Sequence, residues 1–179
     1  EKLALADAGL RIEIVDEQIQ TLQGYIPWDR FDDVTRLPFV KWIRLPAYAR
    51  TRIGSVTTQG DSILNADDVR ALGAPGPYDG TGVRVGIISD GVDTRATAIA
   101  SGDLPAGDIT VNTNSVGSGD EGTAMAEIVH DIAPGASLFF SSGLTDLAMR
   151  QSINWLAYTQ NCRVICDDVG FPTEPYFED

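Results

Sequence analysis

Histidine, cysteine and basic side chains are scarce in this 179-residue chain, and each scarcity closes off a class of function. One histidine (His130) and two cysteines (Cys162 and Cys166) are too few to build a metal site from those side chains. The cysteines lie in the run Cys-Arg-Val-Ile-Cys. On a strand rising ~3.3 Å per residue they would stand about 13 Å apart, too far for a mutual disulfide, so they read as two small buried thiols. Thirteen Lys and Arg against 26 Asp and Glu leave a net charge of −13, which argues against nucleic acid or an anionic membrane as partner. No apolar run approaches the roughly 18 residues of a membrane span, and no basic-then-apolar leader opens the chain. Because the first residue is Glu1, the chain reads as an excised or processed piece, and the missing leader is weak guidance to location. Gly117-Ser118-Gly119 and Asp79-Gly80-Thr81-Gly82 lack the Gly-Lys-Ser/Thr of a phosphate loop, so nucleotide binding is not expected. Nor is any cofactor. Scattered aspartates leave calcium open, but no EF-type spacing exists.

The hydrophobic share of 43% and charged share of 22% are those of an ordinary globular protein, long enough for one domain with a small appendage. Leu10–Val15 and Leu22–Ile26 read as strands, Pro27 leads into a helix through Trp28, Phe31 and Val34, and Phe39–Leu45 reads as a third strand between Pro38 and Pro46. Residues 1–46 thus predict a small β-α-β unit, and 47–60 a connector. Asp61–Leu72 reads as a helix with Asp61 as a cap candidate and Gly73 past its end. From Val83 onward strand and helix alternate: strands over Val83–Ser89, Ile109–Asn112, Ser137–Phe140 and Val164–Asp168, helices over Ala96–Ser101, Glu121–Asp131 and Thr145–Thr159. That alternation predicts an α/β fold with a doubly wound, mostly parallel sheet, and the unbroken apolar run Val83–Ser89 suits a central strand covered on both faces.

Four motifs occur in order along this second part. They are Asp79-Gly80-Thr81-Gly82-Val83-Arg84-Val85-Gly86-Ile87-Ile88-Ser89-Asp90-Gly91; Glu121-Gly122-Thr123 at a helix start; Ala133-Pro134-Gly135-Ala136-Ser137-Leu138; and Ile153-Asn154-Trp155-Leu156-Ala157 followed by Val164-Ile165 and Asp168-Val169-Gly170. Their order and spacing resemble the subtilisin-like serine peptidases: the strand leading to the catalytic aspartate, the His-Gly-Thr helix, the entry to the next strand, and the helix and strand lining the substrate cleft. The histidine position holds Glu121, a substitution that resembles the sedolisin branch of the same clan. Leu22–Pro46 resembles the second half of a subtilase propeptide of the inhibitor type. The resemblance divides the chain into a propeptide-like unit at 1–50, a connector and helix at 51–75, and the N-terminal part of a subtilisin-like α/β catalytic domain at 76–179.

The departures are informative. The Gly-Thr-Ser block and the oxyanion asparagine region are missing, so this chain alone is expected to be inactive. A sedolisin carries an aspartate one helical turn after its glutamate; here that position is Met125. A gapless match places Ser89 at the catalytic-aspartate position with Asp90 beside it, and strand alternation would turn a carboxylate shifted by one residue to the wrong face unless the strand has ended. Asp90 is taken as the aspartate, since Gly91 permits a local irregularity.

The resemblance implies that Glu121 is a general base working with Asp90 on a serine outside this chain, and that Asp168, Val169 and Gly170 bind the substrate backbone. The bland alternative for Glu121 is a helix-start charge favoured by the dipole. Two like charges would raise one carboxyl and let the pair share a proton, which predicts an acidic optimum in the complete enzyme. Asp120 reads as a loop or cap residue. His130 reads as structural, a cation near a helix end and more than two turns from Glu121. Ser141 and Ser142 end a strand without a nucleophile-elbow motif. The expected partner is a peptide or protein substrate, with no nucleic acid and no membrane, and homo-oligomerisation through an exposed sheet edge stays open. The family implies an extracellular or cell-envelope location. The competing reading is a non-catalytic subtilase-like module for peptide binding or assembly.

Overall fold

The computed structural model describes residues 1–46, 50–51, 58–72, 75–107 and 109–172, with backbone alone at 50–51. Most of the connector expected at 47–60, and Gly73, lie outside the described residues. The chain forms two compact units, Glu1–Ala47 and Tyr48–Asp179.

In the first unit, helix α1 (Lys2–Asp7) precedes strands β1 (Arg11–Asp16) and β2 (Thr21–Tyr25), which pair antiparallel as a hairpin. The turn is built by its sequence: Asp16 Oδ1 accepts from the backbone N–H of Gln18 at 3.0 Å and Ile19 at 3.3 Å, and Gln20 takes a left-handed φ of 51°. A 3-10 turn at Trp28–Arg30 runs into helix α2 (Phe31–Thr35). Leu5, Ala8 and Val34 are buried between these pieces, with Leu10, Ile12, Leu22 and Phe39 around them.

The third strand expected at Phe39–Leu45 is not formed, so this unit is a helix-flanked hairpin and not a β-α-β unit. Phe39 and Val40 pack on the hairpin core, but the neighbours Trp42 and Ile43 are both exposed. No alternation of one buried face survives, and among the described residues no strand pairs with the segment.

The second unit carries a four-stranded, all-parallel sheet flanked by helices. After a two-residue strand β3 (Arg50–Thr51) come helices α3 (Gly60–Ile63) and α4 (Ala66–Ala71), then β4 (Arg84–Ser89), α5 (Arg95–Ser101), β5 (Thr110–Val111), α6 (Glu121–Ile132) and β6 (Ser137–Ser142). Helix α7 (Asp146–Asn154) continues as a π-helical turn (Trp155–Thr159) into β7 (Val164–Asp167) and the two-residue β8 (Val169–Gly170). The sheet order is β5-β6-β4-β7, while β8 pairs antiparallel with β3.

The single helix expected over Asp61–Leu72 is broken. Asn65 adopts φ 54°, a left-handed conformation that an asparagine tolerates and that stops α3 before α4 begins. Asp61 is not a cap; its carboxylate forms a two-pronged ion pair with Arg70 at 2.6 and 2.7 Å. The same guanidinium donates to the carbonyl of Ile132 at 2.8 Å, placing a cation on the C-terminal end of α6.

Strand β4 is central, and alternation along it separates two cores. Val85 and Ile87 pack with Ala98 of α5, Ala126 of α6, and Leu138 and Phe140 of β6. Ile88 packs on the opposite face with Phe139, Leu156 and Cys162. Both faces are therefore covered, which explains the continuous apolar run. Cys162 and Cys166 are free thiols. No helix among the described residues is long and apolar enough to cross a membrane.

Glycines set how closely α6 meets the sheet. A Cβ on Gly122 would strike the carbonyl oxygen of Gly91 and lie 2.5 Å from the Phe140 ring, whereas one on Gly107 meets nothing within 4 Å. Gly122→Ala is expected to lower unfolding free energy by about 2 kcal/mol or more. Gly107→Ala should be neutral or slightly stabilising. Urea unfolding of the two variants beside the parent checks both.

Candidate functional site

Parallel strands end on one side of a sheet, and the loops there form the customary ligand crevice of α/β proteins. In this chain that side carries Ser89 at the end of β4 with Asp90 after it, Ser142 at the end of β6, Asp167 at the end of β7 with Asp168 after it, and the first turn of α6.

The alternation that puts Val85 and Ile87 under α6 puts Ser89 there as well. Ser89 is 0% exposed, and its hydroxyl donates to Oε2 of Glu121 at 3.0 Å. Glu121 is 7% exposed, and its Oε1 is enclosed without a hydrogen-bond donor. By the same phase Asp168 follows Cys166, which packs on the α6 side. Its charge and hydrogen bonding both act on the Glu121 carboxyl.

Asp90 lies past the end of β4, and its carboxylate goes to backbone amides. Oδ1 accepts from Gly91 N at 2.6 Å, Glu121 N at 3.0 Å and Gly122 N at 3.4 Å. Two of those donors belong to the first turn of α6, whose N–H groups have no partners within the helix. Gly119, at φ +133°, makes room for the Asp90 carboxylate, because a Cβ there would collide with it. The Asp90 carbonyl accepts from Ser118 N at 2.9 Å and Ser142 Oγ at 3.2 Å.

Two further aspartates tie down the loop before α6. Asp120 Oδ1 accepts from Thr94 N and Thr94 Oγ1, both at 2.7 Å, and from Thr123 Oγ1 at 3.0 Å. Burial raises the proton affinity of Asp120, but these hydrogen bonds outweigh it and hold the carboxyl below its usual range. Asp93 Oδ2 accepts from Gly119 N at 2.9 Å and Ser118 Oγ at 3.3 Å.

Glu121 moves the other way. Burial is the largest influence and pushes its carboxyl above the ordinary glutamate value. The Ser89 hydrogen bond opposes this, and the charge and hydrogen bonding of Asp168, then the charge of Asp90, add to the rise.

The structure thus brings Glu121, Asp90 and Asp168 together and leaves other candidates apart. Val169 and Gly170 form β8, where Thr51 pairs with Val169 and Arg50 with Gly170. Ser141 is enclosed in a hydroxyl network, accepting from Asn112 Nδ2 at 3.0 Å and standing 2.8 Å from Ser152 Oγ, which in turn donates to the Ser142 carbonyl at 2.6 Å. His130 sits near the far end of α6, its Nδ1 buried without a partner. Met125, where a sedolisin has its aspartate, packs on the apolar core. Among the described residues no group of three or more His, Cys, Asp or Glu is placed to hold a metal ion. The hydroxyl of Ser89 is the contact to Glu121 that the motifs do not reveal. The signal was present in the strand's alternation, which puts Ser89 in phase with Val85 and Ile87.

No model of a known protein family matches this chain, and no curated protein matches it.

A carboxyl whose folded proton affinity is raised favours the folded state below the unfolded glutamate value, and that contribution is lost as pH rises through the folded value. Glu121 therefore weakens the fold at neutral pH, opposite in sign to Asp120 and Asp61, whose lowered carboxyls favour folding above the unfolded range. Glu121→Gln keeps an acceptor for Ser89 and removes the titration. The variant should melt above the parent at pH 7, and its advantage should disappear below about pH 4, as thermal melts across pH would register.

Proposed function

We propose that this chain is the N-terminal part of a subtilisin/sedolisin-like serine endopeptidase that hydrolyses peptide bonds. Glu121 serves as general base, Asp90 supports it, and the nucleophilic serine lies outside the chain. The carrying observation is the state of Glu121: a buried carboxyl of raised proton affinity at the carboxyl end of a parallel sheet, with one oxygen held by Ser89 and the other without a donor. A base needs such a lone pair, held in place and not neutralised by a fixed cation.

In this reading Asp168 and the β8 backbone of Val169 and Gly170 receive the substrate. An extended peptide joins a strand edge through main-chain hydrogen bonds, and the antiparallel pairing of β8 with Arg50–Thr51 is a two-residue instance of that mode. The substrate is a peptide or protein and no cofactor takes part. The hairpin unit serves as a propeptide, and the complete protein works outside the cell or in its envelope. An acid optimum follows from a base whose proton affinity is raised by burial and neighbouring carboxyls.

One observation favours the second reading, a non-catalytic module for peptide binding or assembly. The Asp90 carboxylate is engaged by three backbone amides and does not point its hydrogen-bonding capacity at the Glu121 side chain.

The 179-residue chain should take no label from a fluorophosphonate probe. The polypeptide extended past Asp179 by its natural sequence should hydrolyse peptides best at acid pH, and Glu121→Gln should lower its kcat by about 10²–10⁴-fold. An extended polypeptide without a Gly-Thr-Ser block, inert from acid to alkaline pH yet binding peptides, would select the second reading.

A further inference from the structure

Two neighbours in sequence, Ser89 and Asp90, both reach the first residue of α6, but they reach different parts of it. Ser89 contacts the side chain of Glu121 and Asp90 contacts its backbone. The division follows from where β4 ends. Ser89 is the last residue of the strand and keeps the alternation that faces α6. Asp90 has left the strand, and Oδ1 turns back to the amides of Gly91, Glu121 and Gly122. A hydrogen bond between two groups as enclosed as Ser89 Oγ and Glu121 Oε2 restricts carboxyl rotation more firmly than one competing with water. A side chain that grips only the backbone of its neighbour leaves that neighbour's carboxyl free to turn.

We propose that Ser89 is the positioning residue of the Glu121 carboxyl, fixing Oε2 so that Oε1 is left to accept a proton, while Asp90 acts through the backbone as the anchor of the α6 start. The word base in this assignment rests on the peptidase reading; the division of labour between the two side chains does not. It gives the residue at the gapless catalytic-aspartate position a hydroxyl role in place of a carboxylate one. The charged groups acting on Glu121 are Asp168 following β7 and Asp90 following β4, both acidic, and the donated Ser89 hydroxyl opposes them by favouring the ionised form.

The test is a titration of the Glu121 carboxyl in the whole chain, followed by carbon NMR of carboxyl-labelled glutamate and assigned with Glu121→Gln. Ser89→Thr and Ser89→Val have nearly the same shape and differ by the hydroxyl, and Ser89→Ala covers the case in which neither larger side chain fits. The midpoint should rise in Ser89→Val above that in Ser89→Thr, and should rise in Ser89→Ala above the parent. Asp90→Asn keeps an acceptor for the amides and removes a charge, so it should shift the midpoint down. A parent-like midpoint in Ser89→Ala, or an upward shift in Asp90→Asn, would overturn the assignment. Because the readout is the carboxyl itself, it succeeds or fails whether or not the extended polypeptide cleaves peptides.

Discussion

The close approach of helix α6 to the carboxyl end of β4 is the constraint on which the rest of the candidate site depends. A helix start brings unpaired N–H groups, and burying them without acceptors costs about 1–3 kcal/mol each. Here the Asp90 carboxylate accepts from two of them, and the glycines at 119 and 122 remove the side chains that would hold helix and strand apart. Once that approach is made, Glu121 is buried and its carboxyl lies against Ser89. The buried acid follows from how the helix is docked.

This arrangement concentrates negative charge and offsets it unevenly. Asp90, Asp93 and Asp120 each find amide or hydroxyl donors in the β4–α5 loop, the β5–α6 loop or the first turn of α6. Glu121 finds one donor and two acidic neighbours. Three carboxylates are therefore used to build the loop, and the fourth is left with unmet hydrogen-bonding capacity. Strained electrostatics of that kind mark functional sites more often than structural ones, since a purely structural position could hold glutamine at lower cost.

Much of the second unit was legible because its signals are periodic. The apolar run ending at Ser89, the helix from Glu121 and the strand from Ser137 all fall where alternation and helix-start chemistry place them. The misreadings have local causes. Phe39–Leu45 has the composition of a strand, but a strand exists only with a partner, and partner supply is not written in a local window. Asn65 looked like one more helical residue between Leu64 and Ala66, although its tolerance of left-handed backbone is what breaks the helix. At the site, motif comparison drew attention to carboxylates. The hydroxyl beside Glu121 required counting faces along β4, a step that matters only once α6 is known to lie over it.

The clamp by Arg70 at the other end of α6 has a mechanical meaning. The helix is tethered at its start by a carboxylate from the sheet and at its end by a guanidinium braced against Asp61. It behaves as a fixed jaw. Asp168, by contrast, is exposed beyond the last residue of the outer strand β7 and is followed by a ladder only two residues long. Two anchors at opposite ends of α6 therefore fix where the helix lies over β4, and with it where Glu121 stands.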